Sequence, residues 1–280
     1  MSPQLELNHQ VLNAYIIYRL WSNLYPGCQK LFQQGHQITT ISQSPKTDVY
    51  ANHLIQDVHQ LDLTHLEPVD WVYVLLSPSQ SSVEGYQQTY VDSVAPIVQA
   101  LKSHPVQKIV VVSSTRVYGE NAGERIDDES VIQPVDEQGR LLWKMEQLYQ
   151  QAFAGRCVVI RPTGIYGTSV ARMIKLAATT QSYPQIHWSN RIHIDDLARF
   201  LAQLIHVEHP EPSYIVTNNQ PLPLHEVIQW FQRQLNLPEL VVQSQKETGK
   251  RIYATRMRKS GFQLEHEDCF GDYAELLKTE

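Results

Sequence analysis

Residues Val110–Gly119 read VVVSSTRVYG, and this stretch decides the fold. The β-branched run Ile109–Val112 predicts a strand buried on both faces, as at the centre of a parallel sheet. Two serines follow at its C-terminal tip, the edge where open α/β sheets bind ligands. An exposed Tyr118-Gly119 turn is expected to end it.

On either side, strand-like and helix-like segments alternate. Tyr15–Tyr18, Gln37–Ser42, Gln60–Leu63, Trp71–Leu76, Ile109–Ser113 and Cys157–Arg161 read as strands. Pro26–Gln34, Ser82–Ser103 and Glu137–Phe153 read as helices. In the last of these, Leu141, Leu142, Met145, Leu148 and Tyr149 recur at helical spacing. Such alternation predicts an α/β fold, a doubly wound parallel sheet with helices on both faces. From about Gly167 the pattern changes. Helices over Thr168–Thr179, Asp195–His206 and Pro223–Leu235 are separated by proline-rich loops and one strand, Tyr214–Val216. The expected organisation is a sheet domain over residues 1–166 and a smaller substrate lobe over 167–280, with the strand at 214–216 returning to the sheet.

Composition narrows the function classes. The chain has 280 residues, 42% hydrophobic and 19% charged, enough for a large packed core. Its net charge of -6 and lack of any Lys/Arg cluster argue against a nucleic-acid surface. Cys28, Cys157 and Cys269 are far apart, which fits neither a disulfide framework nor a metal spacing and suits a reducing cytoplasm. The histidines show no ligand spacing either, so no metal is expected. Val11–Tyr18 is apolar but short, follows no basic segment and stops at Arg19. It reads as a first strand rather than a leader or a membrane span. Lys250, Arg251, Arg256 and Arg258 near the end read as a solvated face.

Three motifs carry a resemblance. Val110–Gly119, Arg161–Gly167 (RPTGIYG) and Asn190–Leu197 (NRIHIDDL) stand in the order and spacing of the extended short-chain dehydrogenase/reductases. The chain resembles their atypical, NAD-dependent epimerase/dehydratase-like branch from about residue 31 onward. Asp62-Leu63-Thr64, Tyr90-Val91-Asp92, Gly139-Arg140, Glu146 and Lys250-Arg251 add to the match. The resemblance implies a Rossmann domain with NAD or NADP over the strand tips and a small polar metabolite as substrate. It makes Ser114 the catalytic hydroxyl that bonds a substrate carbonyl or alcohol. Tyr118 is a second acid/base candidate, set against a structural role for the same ring. Thr115, Arg191 and His193 are placed on the substrate side, with Arg191 alternatively paired to an acid and Asp195 capping the next helix. On the cofactor side, Asp62 meets the adenine amino group, and Leu75, Leu76 and Ser77 pass beneath the ribose. Ser113 lies at the strand tip, and Pro162, Gly164 and Ile165 cover the nicotinamide. Arg161 stands beside the cofactor or in an internal ion pair, and Trp143 and Trp188 read as packing residues. Relatives of this type often form homodimers through the helices flanking the fourth and fifth strands.

The chain also departs from that family. Counting back from Gly35 puts Leu20, Ser22 and Tyr25 where the phosphate-binding glycines belong, with Trp21 between them. Those glycines let the backbone approach a pyrophosphate at a helix N-terminus. A divergent or frame-shifted start before about residue 30 would leave the same pattern. The family's Tyr-x-x-x-Lys falls on Gln138 and Leu142, and none of the 14 tyrosines has a lysine four residues on. The segment Ser42-Gln43-Ser44, with Lys46 after it, lacks the acid that selects NAD. It either leans to NADP, whose 2′-phosphate suits hydroxyls and Lys46, or is a plain polar turn. Nucleotide-sugar enzymes place a phosphate-binding Arg where this chain has Ser189, so such a substrate is not expected. Two functions fit: an NAD(P)-dependent oxidoreductase or epimerase-like enzyme, or a non-catalytic NAD(P)-sensing or interaction protein on the same fold.

Overall fold

A computed structural model describes residues 13–18 (backbone), 29, 31, 33–46 and 49–280. Leu20, Trp21, Ser22, Tyr25 and Pro26, and most of the helix expected at Pro26–Gln34, lie outside the described residues.

Seven parallel strands form the main sheet: β1 (Asn13–Tyr18), β2 (Gln37–Ser42), β3 (Asn52–Ile55), β4 (Trp71–Leu75), β5 (Lys108–Val112), β7 (Cys157–Pro162) and β12 (Ser213–Val216). Their order is β12-β7-β5-β4-β1-β2-β3, each pair parallel. The chain runs outward from β1 in both directions, so the order reverses beside β4. That reversal opens a crevice at the C-terminal strand ends. All residues of β4 and β7, and Ile109–Val112 of β5, are buried, as continuous apolar runs predict.

Two expectations change. Gln60–Leu63 is not a strand; β3 lies earlier. Val58–Gln60 instead forms a 3-10 turn, capped by Asp57, whose carboxylate accepts the His59 N–H at 3.0 Å. The apolar signal was real, since Val58 and Leu63 are buried, but it served a turn. The helix expected over Ser82–Ser103 is broken into α1 (Val83–Tyr86), a π-helical turn at Gln87–Val91 and α2 (Val94–Ala100). Pro96 has no N–H for the carbonyl four residues back, so the regular ladder cannot run through. Helix α3 (Glu137–Ala152) starts where the Asp136 carboxylate accepts the Gly139 N–H at 2.7 Å.

A second sheet was not anticipated. It joins β6 (Glu124–Ile126), β10 (Ile186–Ser189), β13 (Leu222–Pro223) and β15 (Glu247–Ile252) in the order β13-β10-β15-β6. Residues distant in sequence thus share one sheet across the strand tips. Short pairs β8 (Gly164–Tyr166) with β11 (Arg191–His193), and β9 (Ser182–Tyr183) with β14 (Val241–Val242), complete the strands. Helices α4 (Ala171–Thr179), α5 (Ile194–Gln203), α6 (Leu224–Gln234), α7 (Thr255–Lys259) and α8 (Cys269–Leu277) follow in chain order. Helix α5 packs Leu197, Phe200 and Leu201 into the main core, whereas Val227, Ile228, Phe231 and Tyr273 form a separate smaller one. Among the described residues, no helix is long and apolar enough to cross a membrane.

Candidate functional site

The site begins where β5 ends. Ser114 is still extended (φ -155°, ψ 152°), and its Oγ accepts the Arg116 N–H at 3.2 Å. This cap starts the 3-10 turn Thr115–Val117 at the strand tip. Because Oγ is used as an acceptor, its own proton stays available to a ligand oxygen. Ser114, Thr115 and Gly164 line a cavity of about 470 Å³ that the second sheet closes from the other side. Thr115 Oγ1 donates to the Pro162 carbonyl at 3.5 Å, and Ser113 is buried with its hydroxyl unpaired.

Beneath the strand tip lies a buried ion pair. Arg161 meets Glu146 through two bonds, Nη2 to Oε2 at 2.7 Å and Nε to Oε1 at 3.1 Å, and Glu146 is 0% exposed. The ion-pair reading of Arg161 therefore holds. Arg161 also donates to the Tyr118 hydroxyl at 3.0 Å. Tyr118 is 1% exposed, which corrects both the exposed turn and the acid/base role expected of it. Burial raises its pKa, against the pull of Arg161, and its hydroxyl is committed to the guanidinium. Its ring is a structural element. The two positions of the missing Tyr-x-x-x-Lys are equally settled: Gln138 is half-buried and Leu142, 1% exposed, belongs to the core.

The opposite wall comes from β10 and β15. The Asn190 amide grips β15 twice, donating to the Lys250 carbonyl and accepting the Ile252 N–H, each at 2.8 Å. Gly249 has φ +72°, and a Cβ there would meet the Trp188 carbonyl at 2.3 Å, so only glycine fits. Lys250 Nζ crosses the cleft to donate to the Tyr118 carbonyl. Burial lowers its pKa, and Glu120, Asp136 and Glu124 oppose the shift. The tail cations are thus mostly not a solvated face. Arg251 donates to the Gly123 carbonyl at 2.7 Å, lies over the Trp188 ring and pairs with Glu247, and Arg256 pairs with Glu129. The sequence marks Lys250 as part of a family match and as a solvated cation, but not as a cleft residue, because the pairing of β15 with β10 and β6 is long-range.

The other named residues fall elsewhere. Asp62 is exposed, and the Thr64 N–H and hydroxyl hold its carboxylate, lowering its pKa. Leu75 and Leu76 are buried at the β4 tip and Ser77 is half-buried. Ser42 is buried and donates to the Ser44 carbonyl at 2.8 Å, so its hydroxyl serves its own turn, with half-buried Lys46 following. Pro162 is buried, while Gly164 and Ile165 are exposed.

Arg191 and His193 are not in the cavity. Arg191 is 5% exposed and donates to Ser189 Oγ at 2.8 Å rather than to an acid, and its Nη1 is unpaired. His193, not Asp195, caps α5: its Nδ1 accepts the Asp195 N–H at 3.2 Å. His193 also stacks on His266 at 3.6 Å and 15°, and His266 bonds Asp272 at 2.7 Å. Donor atoms of His193, Asp195 and His266 lie within 4.8 Å of one another. Parallel stacked rings cannot aim their in-plane lone pairs at one point, and both Nδ1 atoms are already used. The arrangement is a stacked pair, not a metal cage.

Comparison with known proteins agrees with this geometry. The sequence profile described as the NAD dependent epimerase/dehydratase family matches residues 27–216, starting just past the altered glycine positions. No curated protein sequence matches the chain. A structure from Methylobacillus flagellatus, assigned as an NAD-dependent epimerase/dehydratase, is 27% identical with a TM-score of 0.78, covering 96% of this chain and 99% of that one. UDP-glucuronic acid 4-epimerase from Bacillus cereus, solved with NAD, is 14% identical at a TM-score of 0.74, covering 95% and 99%. UDP-N-acetylglucosamine 4-epimerase from Methanobrevibacter ruminantium, solved with UDP-N-acetylmuramic acid, is 14% identical at 0.75, covering 96% and 98%. The last two share the fold.

Proposed function

The chain belongs to the NAD dependent epimerase/dehydratase family, and on that premise we propose that it is an NAD(P)-dependent oxidoreductase or epimerase-like enzyme for a small polar metabolite. The carrying observation is Ser114, held at the tip of the central strand with a free proton facing a cavity that the lobe closes. That proton bonds a substrate oxygen and stabilises the negative charge it gains.

The residues present fit a dinucleotide at the strand ends. The buried, unpaired Ser113 hydroxyl calls for a polar ligand, and exposed Gly164 and Ile165 are free to cover a flat ring. Asp62 would meet the adenine, and Lys46 would meet a 2′-phosphate, which favours NADP over NAD. The dinucleotide would supply hydride transfer. The buried, unpaired thiols of Cys157 and Cys269 suit a reducing cytoplasm.

The burial of Leu142 in the core favours the second reading, a non-catalytic dinucleotide sensor, to the extent that no other group replaces the missing lysine. Fluorescence titration with NADPH and NADH tests the shared premise. Saturation is expected, tighter for NADPH; no saturable signal at roughly millimolar cofactor overturns both readings. Ser114→Ala then separates them, since only an enzyme loses turnover while keeping dinucleotide affinity.

A further inference from the structure

We propose that Lys250, reaching in from the lobe, is the proton-transfer group of the cleft and acts on the substrate oxygen that Ser114 holds. This rests on the functional reading of the same cavity given above.

The geometry is specific. Lys250 sits on β15, fixed at its own carbonyl by Asn190 and preceded by the obligatory glycine. Its side chain crosses to the Tyr118 carbonyl, in the turn that Ser114 caps, and both residues line the one cavity. A half-buried lysine usually meets a carboxylate. Among the described residues none lies within 4.0 Å of Nζ, so the ammonium has one neutral acceptor and two protons to spare. Two further groups of the cavity are also unpaired: Glu120 Oε2 and Trp188 Nε1 are buried without partners. A ligand with both donors and acceptors would satisfy all three.

The charged surroundings keep the amine usable. Glu120, Asp136 and Glu124 face it, but Asp136 is neutralised by Arg116 at 3.0 Å and Glu124 is taken up by the Ala122 N–H at 2.6 Å. His187, the other titratable neighbour in the wall, is held by Thr248 and its pKa is lowered by burial. Burial also lowers the Lys250 pKa, so at a given pH a larger share of it is free amine than of an exposed lysine. When the substrate oxygen gains an electron pair, an Lys250 N–H bond breaks as the O–H bond forms and neutral amine remains. In reverse, the amine takes the hydroxyl proton and the ammonium returns. An arginine in the same place would hold charge but could not give up its proton.

Trace labelling with acetic anhydride, read lysine by lysine by mass spectrometry, tests the assignment without any substrate. At about pH 8, Lys250 should label at least roughly fivefold faster than exposed Lys144 and Lys259. Glu120→Gln should raise that ratio, because it removes an opposing charge from the cavity. Labelling of Lys250 no faster than the surface lysines, or a ratio untouched by Glu120→Gln, overturns the proposal. A panel of aldoses, ketoses and hydroxy acids, followed by dinucleotide absorbance, adds the catalytic readout. Where wild type turns over, Lys250→Arg should keep dinucleotide affinity and lose at least roughly a hundredfold in kcat; retained kcat overturns the assignment. Should no dinucleotide bind at all, the functional reading fails while the labelling ratio still decides the state of Lys250.

Discussion

The two walls of the cleft are built by different physics. The strand-tip wall rests on apolar β5 and on one buried ion pair, Glu146–Arg161, which ties α3 to β7 and steadies the Tyr118 ring. The lobe wall is held by backbone: the Asn190 amide, a glycine at positive φ and main-chain pairing between β10 and β15. The first wall supplies a neutral donor, Ser114. The second supplies the cation, Lys250. At the two helix positions where the resemblance expects Tyr and Lys, this chain carries half-buried Gln138 and core Leu142. The lysine of its cleft therefore comes from the wall that local sequence describes least.

Cutting the ion pair should break the comparison most sharply. Glu146→Ala leaves the Arg161 guanidinium buried and unpaired, at a cost of about 3–5 kcal/mol. Urea denaturation should show the loss, and a change under about 1 kcal/mol would mean water reaches Arg161. The lobe wall should respond less and more locally. Gly249→Ala forces a Cβ against the Trp188 carbonyl in a left-handed conformation, at about 1–3 kcal/mol. Hydrogen exchange should quicken at the Gly249 and Ile252 amides while the β5 amides keep their protection. Uniform quickening across both walls would show that they unfold as one unit and undo the distinction.

The same contrast explains what the sequence made legible. Trp71–Leu75, Ile109–Val112 and Cys157–Pro162 are short, mostly apolar runs that end up buried, so their pattern reveals strand and sheet, whereas Ser114 is singled out by the family resemblance of the VVVSSTRVYG stretch. The strands of the second sheet read IHWS and ETGKRI, with half-exposed residues and no clean alternation. Their pairing is decided by partners more than 30 residues away, such as Asn190 for Lys250 at a separation of 60. Local periodicity carries no trace of such a bond. Tyr118 fails for a related reason: its neighbours in sequence suggest a turn, but Arg161, 43 residues on, draws its hydroxyl inward.

Acidity offers the gentlest way to separate the walls. Burial, then the neighbouring His266, holds the His193 pKa below its usual 6.5, and burial alone does the same for His187 of the lobe wall. The unfolded chain, with pKa near 6.5, takes up protons that the folded lobe refuses. The stability these neutral rings contribute is thus complete above about pH 6.5 and is lost as pH falls toward their folded pKa values. The strand-tip wall has no histidine in its β5 segment, so its amides should stay protected over the same window. Urea midpoints at about pH 7 and pH 5 should fall less for His193→Asn, which keeps a capping oxygen for α5, than for the wild type. Equal falls in the two proteins would show that His193 is not the acid-sensitive group and would turn the test to His187.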